Sequence, residues 1–444
     1  MVNNPCSALI GDFGNILKPP IFKEAIMIKK IHLDNGVRLV YEHLPQVRSV
    51  STGIWVAVGS RNETNDINGI SHYIEHMLFK GTKKRSAKDI AYAIDSLGGQ
   101  INAFTAKENT CYYTKTLDAH IQMSFDILSD MFFNSKFLKK DLETEKKVIF
   151  EEIKMYEDTP EEHVHDLLLE KVWEGDAIGM PILGTFASLG NIGRQDIVKY
   201  MKNNYTPERT VISVAGNFDE KELIALANRY FGSWKSTSEN TPQNSVPVFN
   251  RNVFIKQKDT EQVHMCLSFD GIPQGEDYIY SLLVLNNVLG GGMSSRLFQK
   301  IREEKGLVYS IYSYPASYKN TGIFTIYAGM NPAYVDEVIE NIQKEINAII
   351  NNGITNDEFN RSKEQLKGNY ILGLESTSGR MSSIGKSELI LGYVNTPDEI
   401  LDKIDKVSLS SLADVVERVL NTPRRAACFI GSLINNYDDD ILNF

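Results

Sequence analysis

The stretch Ser71-His72-Tyr73-Ile74-Glu75-His76-Met77-Leu78-Phe79-Lys80 sets the terms on which the rest of the chain is read. On a helix, His72 and His76 stand four apart on one face, so both imidazoles reach the same ion. Glu75 lies beside His76, placed to take a proton from a water held by that ion without being a ligand itself. The pattern is HxxEH, the reverse of HExxH, with the same mechanics. Ile70, Ile74, Met77 and Leu78 supply an apolar side for a core. An amphipathic helix with histidines at its border accounts for the same five residues, so a third ligand from elsewhere has to decide between the readings.

Working outward, residues 37–42 and 50–58 alternate apolar with polar or small side chains, as half-buried strands do. The metal helix begins near Asn68-Gly69 and stops at Gly81, and a second helix over 87–97 ends at Gly98-Gly99. Residues 100–105 and 110–116 read as adjacent strands. Helical spacing then runs over 119–133 and 138–156, and Pro160 opens a further helix to Trp173. The middle helix matters most. Glu145 and Glu152 are two turns apart and share a face, while Glu151 points away to solvent.

A Ser/Thr/Asn/Pro-rich segment, 235–248, reads as a linker between residues 27–234 and 249–434. The second half repeats the order of the first: strands at 252–256 and 264–269, a helix over 278–289, strands at 308–314 and 322–328, then paired helices. The expectation is an α+β chain of two similar, duplicated domains, each a mostly antiparallel sheet with helices packed on one face. The second half lacks HxxEH. Its place is taken by Gly290-Gly291-Gly292-Met293-Ser294-Ser295-Arg296-Leu297.

The 444 residues predict more than one domain, and 42% hydrophobic with 23% charged residues is ordinary for a soluble globular protein. A net charge of −10 argues against non-specific binding to nucleic acid or anionic membrane. No apolar run reaches the length of a membrane span. Cys6, Cys111, Cys266 and Cys428 show no pairing pattern, and residues 1–26 lack a secretory pattern, so the expected compartment is the cytoplasm. That first segment is ill-patterned ahead of Met27 and reads either as disordered or as lying before the true start.

The sequence resembles the M16 metallopeptidases, the family of pitrilysin, insulin-degrading enzyme and mitochondrial processing peptidase. The resemblance rests on HYIEHMLFKGT, LGGQINAFTAKENTCYY, EKKVIFEEIKMYED and GGGMSSRLFQKIREEKGLVYSIYS, and spans about residues 28–434. With one pair of domains it is similar to the half-size branch, which holds the processing-peptidase subunits and their bacterial relatives.

The resemblance implies a zinc endopeptidase acting on peptides or unfolded polypeptide. His72, His76 and Glu152 match the family's Zn2+ ligands, Glu75 its general base and Glu145 a second carboxylate of the site. Arg302 and Tyr309 match an arginine and a tyrosine that come to the zinc from the second domain, the tyrosine toward the oxyanion and the arginine toward substrate backbone. Asn102, Ala103 and Phe104 match an edge strand that binds substrate by strand addition. Glu162 and Asp166 match acidic residues that recognise a basic side chain. Closure of the two halves on the substrate and a homodimer are further expectations. The rival is a scaffold or processing-complex subunit that keeps the fold without the activity; such a chain is expected to have lost ligands, whereas this one has them all.

Overall fold

The computed structural model describes residues 28–236 and 245–444. The expectations for residues 1–26 and for most of the linker lie outside the described residues. Among the described residues the first sheet holds β1 (Ile28–His32), β2 (Arg38–His43), β3 (Ser49–Val56), β4 (Gln100–Thr105), β5 (Thr110–Leu117) and β6 (Thr210–Gly216), in the order β1-β2-β6-β3-β5-β4. The second holds β7 (Val253–Gln257), β8 (Val263–Asp270), β9 (Val308–Ser317), β10 (Gly322–Met330) and β11 (Arg425–Gly431), in the order β7-β11-β8-β10-β9.

Set side by side, β2-β6-β3-β5-β4 and β7-β11-β8-β10-β9 are the same arrangement. In each, one pair is parallel, β2 with β6 and β7 with β11, and the rest are antiparallel. The duplicated order of elements is therefore a duplicated topology, with β4 and β9 as equivalent edges.

In the first half the helices are α1 (Ile70–Leu78), α2 (Ala87–Asp95), α3 (Ile121–Asn134), α4 (Lys139–Asp158), α5 (Pro160–Val172), α6 (Phe186–Asn191), α7 (Arg194–Asn204) and α8 (Glu220–Phe231). The second half supplies α9 (Ile279–Leu289), α10 (Val335–Asn352), α11 (Asn356–Gly373) and α12 (Thr377–Leu391). Ile70, Ile74, Met77 and Leu78 of α1 are buried in the first core with Ile54, Val56 and Phe125, as the apolar spacing requires. A separate core, around Phe269, Leu285, Phe324 and Ile342, forms under the second sheet.

Helices on one face of each sheet is an incomplete description, because the opposite faces are covered too. Each is covered by one helix of the other half. Met381, Ile384 and Leu389 of α12 bury against Val40, Trp55, Val211 and Ala215 of the first sheet. Val164, Leu168 and Val172 of α5, followed by Trp173, bury against Ile323, Ala426, Cys428 and Ile430 of the second. The approach of α12 depends on Gly385, where a Cβ would meet Trp55 Nε1 at 2.3 Å and Ser213 Oγ at 2.6 Å. The fully buried Glu388 also takes Lys30 at 2.7 Å and Arg38 at 3.2 Å. With about 2 kcal/mol per buried apolar side chain, parting the halves costs on the order of 10 kcal/mol. These contacts lock the halves together, which argues against hinge closure within one chain.

Candidate metal centre at the edge of the first sheet

The centre is built from two helices and one strand. Gly69, at φ 91°, caps α1 at its N-terminus. The helix has no side-chain cap of its own. Glu63, buried and far outside the helix, does that work: its carboxylate accepts from Gly69 N–H at 2.7 Å, Ser71 N–H at 2.8 Å and Asn68 Nδ2 at 2.9 Å. A carboxylate on a helix N-terminus is favoured by the dipole. Burial nevertheless outweighs the donors and pushes its pKa up to about 7. This residue was missed from sequence, since it reaches the helix across a 3-10 turn, Asn65–Ile67, and no fixed spacing announces it.

His72, His76 and Glu152 each offer a ligand atom, all within 4.8 Å of one another. Glu152 Oε2 is 3.9 Å from His72 Nε2 and 3.7 Å from His76 Nε2. Those gaps are too long for hydrogen bonds. They are close to the separation of about 3.4 Å between neighbouring ligand atoms on a tetrahedral ion with bonds near 2.1 Å. Burial, with the charge of His76 second, lowers the pKa of His72 to about 3, so its ring is neutral with a lone pair to give. Burial also raises Glu152, which His76 partly offsets. Two imidazole nitrogens and a carboxylate, with room for a fourth position, form a donor set that fits Zn2+.

Around this set the other carboxylates divide. Glu145 Oε2 is 3.2 Å from His76 Nδ1, and its Oε1 is 2.7 Å from Lys80 Nζ, so it is not a solvated helix glutamate. Glu151 is that: it is 72% exposed and pairs with Lys154. Glu75 Oε2 accepts a 2.5 Å hydrogen bond from Thr105 Oγ1. Burial raises the Glu75 pKa, and the Thr105 bond and His76 work against that.

Thr105 ends β4, which is an open edge. Across the β4–β5 turn, Ala106 N–H bonds the Asn109 carbonyl at 2.8 Å. Because antiparallel pairing alternates, Gln100, Asn102 and Phe104 direct their backbone groups to β5, and Ile101, Ala103 and Thr105 direct theirs outward. Among the described residues, Ala103 N–H is met there only by the Asn102 side chain, at 2.8 Å. The side chains alternate as well. Ile101 and Ala103 pack on the core with α1, and Phe104 lies on the opposite face against Trp55, ring centroids 5.6 Å apart.

Arg302 and Tyr309 are not part of this cluster. Arg302 lies in a π-helical turn, Phe298–Glu303, with its guanidinium over the Phe298 ring at 4.7 Å. Tyr309 is 64% exposed, and the β9–β10 ladder passes from Ser310 to Val308 so that Tyr309 is the extra residue of a bulge. Both irregularities re-aim side chains. Among the described residues no hydrogen bond or ion pair joins either one to the metal-site side chains. The two members of the acidic pair lie near each other beside Tyr156 but are unequally buried. Asp166 lines a cavity of about 160 Å³ with Glu157, His163 and Glu170, its carboxyl raised by burial, while Glu162 is exposed against the Tyr156 phenol.

A duplicated α+β chain, with an HxxEH helix and a distant glutamate closing on one point beside an open strand, has the build of a metallopeptidase. Comparison with known proteins gives the family. Residues 38–186 match "Insulinase (Peptidase family M16)", and residues 191–366 match "Peptidase M16 inactive domain". An uncharacterised zinc protease of Bacillus subtilis is 49% identical over 86% of this chain and 93% of its own length. Another from Streptomyces coelicolor is 39% identical over 91% of this chain and 90% of its own length. The chain belongs to the M16 peptidase family. A protease from Helicobacter pylori of known structure superposes with a TM-score of 0.85 at 21% identity, covering 91% of this chain and 99% of that one, which establishes the common fold. The name of the second matched region agrees with a second half that has no HxxEH.

Proposed function

We propose that this chain is a zinc endopeptidase that cuts peptides or unfolded polypeptide bound as an added strand on β4. The observation that carries this is the meeting of His72, His76 and Glu152, with Glu75 tied to the last residue of an edge strand open on one side. Zn2+ held by those three side chains would act as a Lewis acid that makes a bound water easy to deprotonate and polarises the scissile carbonyl. Glu75 takes the proton from the attacking water and returns it to the leaving nitrogen. The Thr105 hydroxyl keeps the Glu75 carboxylate beside the substrate strand. Glu145 holds His76 Nδ1–H, which leaves His76 Nε2 free to bind the metal.

On the substrate side, Ala103 presents N–H and C=O to peptide backbone, which binds extended chains with little regard to their sequence. An arriving carbonyl replaces the Asn102 side chain on Ala103 N–H. Phe104 limits the outer side of the strand, and Asp166 with Glu162 favours a basic residue nearby. Tyr309 donates to the developing oxyanion and Arg302 holds substrate backbone. Because the halves of one chain are locked, these two come from a second copy, making the working unit a homodimer. Metal analysis and cleavage of a fluorogenic peptide library, with wild type and Glu75→Gln side by side, test the reading. A wild type that binds zinc and cuts no unfolded peptide overturns it.

A further inference from the structure

Beside the metal centre but on the opposite face of β4 lies a cavity of about 450 Å³, shared by both halves. Trp55 and Phe104 of the first sheet form one side, and Tyr370, Gly373 and Leu374 at the end of α11 form the other, with Lys386 at the rim. Its position relative to the open edge gives it a purpose. This argument rests on the strand-addition reading above.

A peptide hydrogen-bonded to the outward groups of Ala103 and Thr105 alternates its side chains as β4 does. Residues opposite Ala103 and Thr105 turn toward α1 and Glu75. The residue between them, opposite Phe104, turns away from the metal and onto the outer face. There it meets the cavity. Phe104 is 38% exposed at this spot, although its neighbour Trp55 is fully buried and anchored to Ser213 by a 2.8 Å hydrogen bond. A rigid aromatic floor with one open side suits an apolar guest. The Lys386 ammonium, which has no ion pair among the described residues, disfavours a basic one. The acid-lined cavity at Asp166 has the opposite preference.

We propose that this cavity is a specificity subsite for one large apolar side chain of the bound strand, at a substrate position that alternates with those facing the metal. The second half thus takes part in choosing the substrate through α11, although it carries no metal ligands.

Gly373 supplies the test, because a Cβ there would meet no atom within 4 Å. Gly373→Phe fills the cavity from its open wall. Binding is read by fluorescence anisotropy in the full-length, zinc-loaded Glu75→Gln protein, which binds without cutting. The probes are fluorescein-labelled ten-residue Ser/Thr peptides with a single phenylalanine moved through every position. One register is expected to bind about tenfold more tightly than the phenylalanine-free peptide, the scale of a largely buried aromatic ring. Gly373→Phe should erase that gain while binding the phenylalanine-free peptide within about twofold of the parent, consistent with intact backbone pairing. Phe104→Ala, which removes a wall and adds no bulk, should also erase it. If neither variant changes the preferred register, or no register is preferred, the subsite is wrong. A parent that binds and discriminates, paired with a wild type that fails to cut, would sink the peptidase reading and leave the subsite standing.

Discussion

Glu145 holds His76 from behind, its Oε2 3.2 Å from Nδ1 and its Oε1 2.7 Å from Lys80 Nζ. The lysine fixes the carboxylate and the carboxylate fixes the ring. Removing such a partner typically lowers metal affinity or activity about 10–100-fold. Glu145→Ala should therefore lose zinc at chelator concentrations that the wild type withstands, with activity falling in the same range. Glu151→Ala, next to Glu152 in sequence but facing solvent, should change neither; equal losses in both variants would make the effect one of helix stability.

Glu75 is hydrogen-bonded to Thr105 and has no partner role in the ligand set. Glu75→Gln is expected to keep its zinc by mass spectrometry and to lose peptide cleavage by at least 10²-fold, the usual scale for a general base. A variant that still cuts peptides well removes Glu75 from the chemistry. Thr105→Val should show a smaller loss, since it frees the carboxylate to swing without removing it.

Glu63 makes a prediction about folding rather than chemistry. Its carboxylate faces the N–H groups of Gly69 and Ser71 and the amide of Asn68. In Glu63→Gln an amide NH2 must face at least one of those donors, which leaves buried groups unmatched. The expected cost is about 1–3 kcal/mol in denaturant melts, with weaker zinc binding because α1 loses its first-turn anchor. Unchanged stability would mean that Gly69 and Ser71 find other acceptors.

How much of this was legible in the sequence follows from burial. The two-turn spacing of Glu145 and Glu152 survives as a periodicity because α4 keeps one wet and one dry face, whereas HxxEH is legible as a motif on α1, which is buried nearly all round. β4 was readable because exposed and half-buried residues alternate along it. Thr210–Gly216 and Arg425–Gly431 were not assigned as strands: both are buried on two faces, so alternation disappears. What covers those faces was also hidden, because the docking of α12 on the first sheet joins residues more than 160 positions apart. The bulge at Tyr309 is likewise set by pairing with β10 rather than by local spacing.

The interface of α5 with the second sheet carries a pH dependence. His165 Nδ1 is 2.6 Å from Tyr314 Oη and its Nε2 is 3.2 Å from Tyr312 Oη, and burial, with His264 second, lowers its pKa to about 4. The unfolded chain binds this proton near pH 6.5 and the folded one does not. Stability is therefore complete above about pH 6.5 and is lost as pH falls toward 4, by up to about 3 kcal/mol. Melting temperatures from pH 7.5 to 4.5 should fall less steeply for His165→Asn than for wild type; parallel slopes would place the acid sensitivity elsewhere.

The locked halves lead to the last prediction. Val164, Leu168 and Val172 bury against the second sheet and Met381, Ile384 and Leu389 against the first, which argues against a hinge that would bring Arg302 and Tyr309 to the metal of the same chain. If a second copy delivers them, Glu75→Gln and Tyr309→Phe fail for different reasons and each repairs the other. In a mixed dimer one site pairs the intact Glu75 of one chain with the intact Tyr309 of its partner, and the other site has neither. Random mixing of equal amounts makes half the dimers mixed, so about a quarter of wild-type activity should return although each variant alone is nearly inactive. Delivery within one chain predicts no recovery at any ratio. Light scattering on the same samples should find dimers, and a fully active monomer would refute delivery by a partner outright.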